Sequence, residues 1–137
     1  MTINYLAIFL ATVAQFICGA VWYTALFGKL WGKMHDFDKL SKSTQKEMMR
    51  QMGPFYALQF VVTVLMVVVT YILLPKTNIN PYLLGFMLWL GFVVPTQTSS
   101  VIFGGTPAKW VVKKILVQAG SALVCLLAGI FTLQLFG

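Results

Sequence analysis

Four stretches of this chain, roughly residues 3 to 27, 54 to 74, 81 to 103 and 109 to 135, run almost without charge for the length of a bilayer-spanning helix. No other feature restricts the fold as much. A membrane's hydrocarbon core takes about 20 apolar residues in helical rise and offers no partner to an unpaired amide. Such segments have to be helices, because four strands cannot close a barrel. The punctuation agrees. Gly53 and Pro54 open the second stretch, "LLPKTNINP" at 73 to 81 divides the second from the third, and Gly104, Gly105 and Pro107 divide the third from the fourth. The expected fold is all-α, an integral membrane four-helix bundle forming one four-pass domain over residues 1–137. Its connections are one long loop and two tight ones.

Composition removes the soluble alternative. Of 137 residues, 59% are hydrophobic and 9% charged, where a soluble domain carries about 25% charge, so lipid has to stand in for water. The net charge of +7 reports topology. Nine of the ten basic residues fall after the first and third stretches: Lys29, Lys33, Lys39, Lys42, Lys46 and Arg50, then Lys109, Lys113 and Lys114. Only Lys76 stands apart. By the positive-inside rule those two loops are cytoplasmic, both termini are extracytoplasmic, and the protein is a multi-pass protein of the cytoplasmic (inner) membrane. No basic patch interleaves with exposed aromatics on a polar fold, so nucleic acid is not an expected partner. The first stretch has neither a basic lead nor a small-residue cleavage site and reads as a retained helix.

Few groups are equipped for chemistry. Cys18 and Cys125 lie inside apolar runs and read as packing residues, His35 is the sole histidine, and the three acids sit in one loop, so no metal or cofactor is expected. No nucleophile and base stand at a credible spacing, which makes a membrane enzyme the weakest functional class. In the long loop, "STQKEMMRQMGP" carries a capping box, Thr44 with Glu47. Met48, Met49 and Met52 follow on one side, the pattern of a short amphipathic helix on the inner headgroups of the lipid bilayer. Trp22, Tyr23, Trp31 and Trp110 at one end, with Tyr5, Tyr71 and Tyr82 at the other, form two aromatic belts.

The polar residues within the stretches are the informative ones. Each stretch carries a glutamine away from its outer end, Gln15, Gln59, Gln97 and Gln118, and the fourth has a second, Gln134, at its outer end. An amide left unpaired in hydrocarbon costs a few kcal/mol, so these side chains should face one another, a second subunit or water. On the fourth helix Lys114, Gln118, Ser121, Cys125 and Ala128 share a stripe, opposite a lipid-facing set of Leu116, Val117, Leu123, Leu127 and Ile130. The second helix aligns Gln59, Thr63, Met66 and Thr70. The first offers Ala7, Ala11, Ala14 and Cys18 beside Gln15. The third is densest, with Thr96, Gln97, Thr98, Ser99 and Ser100 in succession after a hinge at Gly91 and Pro95. Proline removes a backbone hydrogen bond there, and hydroxyls at Thr98 and Ser99 are placed to compensate.

Two readings arise from the cluster: interhelical glue, or a cytoplasm-facing cavity lined by amides and hydroxyls that binds or passes a small polar solute. The second makes a homo-oligomer with a path between subunits the leading expectation. The alternative is a structural or accessory subunit of a larger membrane complex whose polar stripes are contact surfaces.

Two segments, "GAVWYTALFGKLWGK" (19 to 33) and "LLGFMLWLGFVVPTQTSSVIFGGTPAKWVVKKILVQAG" (83 to 120), resemble the bacterial DUF1761 family of small four-helix membrane proteins. The resemblance rests on Gly19, Trp22, Tyr23, Leu26, Phe27, Gly28, Lys29 and Trp31, then on Gly91, Phe92, Pro95, Thr96, Phe103 and Gly105. Departures from the family pattern are Ala25, where many relatives have a nearby proline, and Thr106 and Pro107, where polar or charged residues are common. The resemblance implies four passes and no particular activity.

Overall fold

The computed structural model describes residues 3–137, and all regular structure among them is helical. Helix α1 (Tyr5–Val21) continues through a π-helical turn, Trp22–Leu26. Short α2 (Gly28–Met34) and α3 (Lys42–Gln51) come next, then α4 (Gly53–Leu73). Helix α5 (Pro81–Leu88), a second π turn (Trp89–Val93) and α6 (Val94–Phe103) form one stretch, and α7 (Val111–Phe136) closes the chain. Four stretches are long and apolar enough to cross a membrane: Tyr5–Leu26, Gly53–Lys76, Pro81–Phe103 and Ala108–Phe136. Below they are the first to fourth spans.

Local chemistry sets most boundaries. Asn4 caps α1 by accepting from the Ala7 N–H, and Asn80 caps α5 by accepting from Tyr82 and Leu83, just ahead of Pro81 at the first helical position. The start of α3 differs from the sequence expectation. Its cap is Ser41, whose hydroxyl accepts the Thr44 N–H at 3.2 Å, and Glu47 turns away to Arg50 at 2.7 Å. An earlier hydroxyl is available, so the helix begins three residues sooner than a Thr44 cap would allow.

The first and fourth spans are the central pair, antiparallel and in contact along their length. Asn4 Nδ2 donates to the Phe136 carbonyl at 2.9 Å at one end, and Trp22 meets Val117 at the other. Helix α4 packs mainly on α1, while α5 and α6 pack on α7. Contact between the second and third spans is marginal at most. At the end that carries the termini, Ala7, Ile8, Ala11, Val67 and Leu133 make one buried cluster. Lipid tails are as apolar as these side chains, so close dispersion contact holds this core more than release from solvent does.

Helix α7 is packed on two sides, which corrects the expectation of a lipid-facing stripe there. Val117 is 5% exposed and Ile130 1% exposed, the latter pressed on Gly85, where an added Cβ would stand 2.5 Å from Ile130 Cδ1. Of that stripe only Leu116 is fully exposed. Lying between α1 and the third span, α7 is the most buried of the four spans and keeps an outer strip that includes Val112, Leu116, Val124 and Phe131.

Candidate functional site

Residues 117 to 121 of α7 are gripped from two directions. Trp22 donates its indole N–H to the Val117 carbonyl at 2.9 Å, and Trp89 donates its own to the Ala119 carbonyl at 2.7 Å. Both tryptophans open a π turn. In the first turn the Phe27 N–H reaches back five residues to the Trp22 carbonyl at 2.9 Å, and in the second the Val94 N–H reaches back to Trp89. A π turn inserts one residue, widens the helix and re-aims the side chains beyond it. Here each one begins at the residue that reaches α7. Gly120 admits the Trp22 ring, since a Cβ there would stand 2.9 Å from Cζ2.

The second π turn also accounts for the hinge. Pro95 has no N–H to give, and Val94 sends its own to Trp89, so normal pairing is interrupted around Gly91. The hydroxyl that compensates is that of Thr96, donating to the Phe92 carbonyl at 2.5 Å. The sequence had pointed to Thr98 and Ser99.

Within the grip lies an orphan. The Oε1 of Gln118, between the two clamped residues, is shielded and has no hydrogen-bond partner. Ser121, one turn on, is buried with its hydroxyl 3.9 Å from Cys125 Sγ. Gly19 brings α1 against Cys125, with 3.8 Å from a Cβ position to the sulfur. Tyr23 faces Ser121 and stacks edge-on with Trp31 at 4.8 Å, and Lys114 sets its ammonium over Trp31 at 5.6 Å.

The remaining candidates are dispersed. Gln15 is 5% exposed and lies over Gly129, whose missing side chain leaves room for the amide. Gln59 is exposed and donates only to Thr63 on its own helix, at 3.4 Å. Gln97 and Thr98 are half-buried, whereas Thr96, Ser99 and Ser100 are exposed. No two of the four glutamines hydrogen-bond to each other among the described residues. The threonines serve themselves: Thr12, Thr24, Thr63, Thr70, Thr96 and Thr132 each donate to the carbonyl four residues back, at 2.5–2.9 Å. Tryptophan, rather than glutamine, donates the side-chain hydrogen bonds across the clamped segment.

A family model described as a protein of unknown function, DUF1761, matches residues 6–133. The chain belongs to the DUF1761 family. No curated protein and no solved structure matches it. The DUF1761 resemblance now has a structural counterpart: Trp22 and Tyr23, like Gly91, Phe92 and Pro95, lie on or beside the two π turns. Sequence reading placed Trp22 in an aromatic belt and passed over Trp89. The available signal was glycine in an apolar helix, Gly120 and Gly129, which marks a close approach by something large.

For this DUF1761 member the chemistry on offer is hydrogen bonding. Among the described residues no three His, Cys, Asp or Glu side chains gather as a metal would require. A cleft of about 620 Å³ at the terminal end is lined by Tyr71, Thr77, Asn78, Asn80 and Gln134, away from the four glutamines. A shielded amide oxygen such as that of Gln118 can accept from water, a hydroxyl or an ammonium group, and nothing stronger.

Proposed function

We propose that this protein is a multi-pass protein of the cytoplasmic membrane, lysine-rich end inward, that binds or passes a small polar solute through a site completed between copies of the chain. Gln118 Oε1 carries the reading. A buried amide oxygen without a partner costs about 1–3 kcal/mol, and such a group persists where a visiting donor compensates it. Exposed Ser99 and Ser100 on the third span, with Gln97 and Thr98 half-buried beside them, supply further polar surface that one chain leaves uncovered. A second copy laid against the third span covers it and encloses a polar path in the lysine-rich half.

The test is the oligomeric state in lipid nanodiscs with a density map of the assembly. The reading expects more than one copy, and water or solute density within hydrogen-bonding reach of Gln118. A dry, closely packed centre in every conformer would overturn it. Gln97→Leu and Gln118→Leu sharpen the outcome. If both variants dissociate the assembly in mild detergent while any measured flux survives, the amides are glue.

The accessory-subunit reading draws on exposed Gln59, which lies on the second span, away from the third. It is favoured if this chain is recovered in fixed stoichiometry with a larger membrane protein whose dissociation accompanies Gln59→Leu.

A further inference from the structure

The start of α7 gathers positive charge in a way the fold does not neutralise. Lys109 and Lys113 hold their ammonium groups over the same indole, that of Trp110, at 5.6 and 5.3 Å from the ring centroid. Lys114 does the same over Trp31 at 5.6 Å, which brings α2, with Lys29 and Lys33, against this corner. Two cations over one ring repel each other, and an anion bound between them relieves that repulsion. The protein supplies none. Its acids are Asp36, Asp38 and Glu47; Asp36 pairs with Lys39 and Glu47 with Arg50, and no carboxylate pairs with Lys109, Lys113 or Lys114 among the described residues. No side chain caps α7; the Trp110 and Val111 N–H groups are taken by the carbonyls of Pro107 and Ala108, and the first turn adds partial positive charge to the same place.

We propose that this corner binds the phosphodiester headgroup of an anionic phospholipid. Position selects a lipid. The fourth span begins at Ala108, which sets Lys109, Trp110 and Lys113 at headgroup depth, where interfacial tryptophans settle and anionic lipid is concentrated. The inference rests on the inward orientation proposed for the lysine-rich end but not on the solute site: it concerns which lipids surround the protein, and neither outcome there alters the outcome here.

The probe is a nanodisc of equal parts phosphatidylcholine and phosphatidylglycerol, with the lipids retained on release counted by native mass spectrometry. The wild-type chain retains phosphatidylglycerol in preference. In Lys109→Gln/Lys113→Gln the preference falls about fivefold for each lysine removed, and Lys109→Arg/Lys113→Arg keeps it. Lys76→Gln, which removes a charge at the opposite end of the spans, leaves it in place. Equal retention of both lipids by the wild type, or a loss from Lys76→Gln as large as that for one lysine of the Lys109/Lys113 pair, would overturn the proposal. Excess inorganic phosphate separates the two sources of this chemistry: undisturbed lipid retention supports a headgroup site, and displacement to the level of the Lys109→Gln/Lys113→Gln variant makes it a site for free phosphate and overturns the lipid assignment.

Discussion

Gly120 and Gln118 stand two positions apart on α7 and answer to opposite requirements. Gly120 is there to be small. An added methyl meets Trp22 Cζ2 at 2.9 Å and Cη2 at 3.3 Å, and the indole cannot retreat without giving up its bond to the Val117 carbonyl. Gly120→Ala is therefore expected to lower stability by about 1–3 kcal/mol, read as a drop in melting temperature in detergent. Gly53→Ala, at a position with nothing within 4 Å, is the control, and an equal drop in both variants would remove the close approach as the cause. Gln118 is there to be polar. Replacing a shielded, unpaired oxygen with an apolar group of similar shape relieves the structure, so Gln118→Met is expected to match or exceed the native melting temperature while losing any density against that position. A clear loss of stability in Gln118→Met would mean that the amide has a protein partner after all.

Among the elements, the spans were legible and the turns inside them were not. A run of neutral residues as long as a bilayer is thick suits little besides a spanning helix, and Gly53–Pro54 and Asn80–Pro81 mark helix starts by chemistry local to themselves. A π turn leaves little trace in composition. Gly91 and Pro95 hinted at the second, while nothing in "WYTAL" announces the first. The burial of Val117 and Ile130 was unreadable for another reason: a residue facing lipid and one facing a neighbouring helix can be the same amino acid. Helix α3 allows a pH test. Arg50 beside Glu47, with a smaller contribution from Gln51, holds the Glu47 carboxyl below the ordinary glutamate range. A lowered folded-state value means that the pair steadies α3 above the unfolded glutamate value and that this support is lost as pH falls through the lower, folded one. The Glu47 carboxyl signal in nuclear magnetic resonance should titrate below free glutamate, and Arg50→Gln should return it toward the ordinary value. A midpoint unchanged by Arg50→Gln would show that the pair is not what lowers it.

At the scale of the whole molecule, the second and third spans flank a central pair and touch each other marginally at most. Gln59 and Gln97 then lie apart in one chain. With Cys18 and Cys125 replaced by alanine, Gln59→Cys/Gln97→Cys is expected to form no disulfide within one chain under mild oxidation, read as an unshifted monomer band on a non-reducing denaturing gel. A disulfide within one chain would contradict this packing. The central pair has a further consequence, in the order of events during synthesis. Its closing contacts join residues 95 and 132 positions apart, Trp22 to Val117 and Asn4 to Phe136. A ribosome delivers the first span long before its main partner, so Trp22 and Gln15 enter the bilayer ahead of the helix that receives them. Trp89 comes later with its acceptor still unmade. Until the last span arrives, the nascent chain carries two indole donors and a buried-type amide in contact with lipid, which makes an interrupted chain chemically distinct from a finished one.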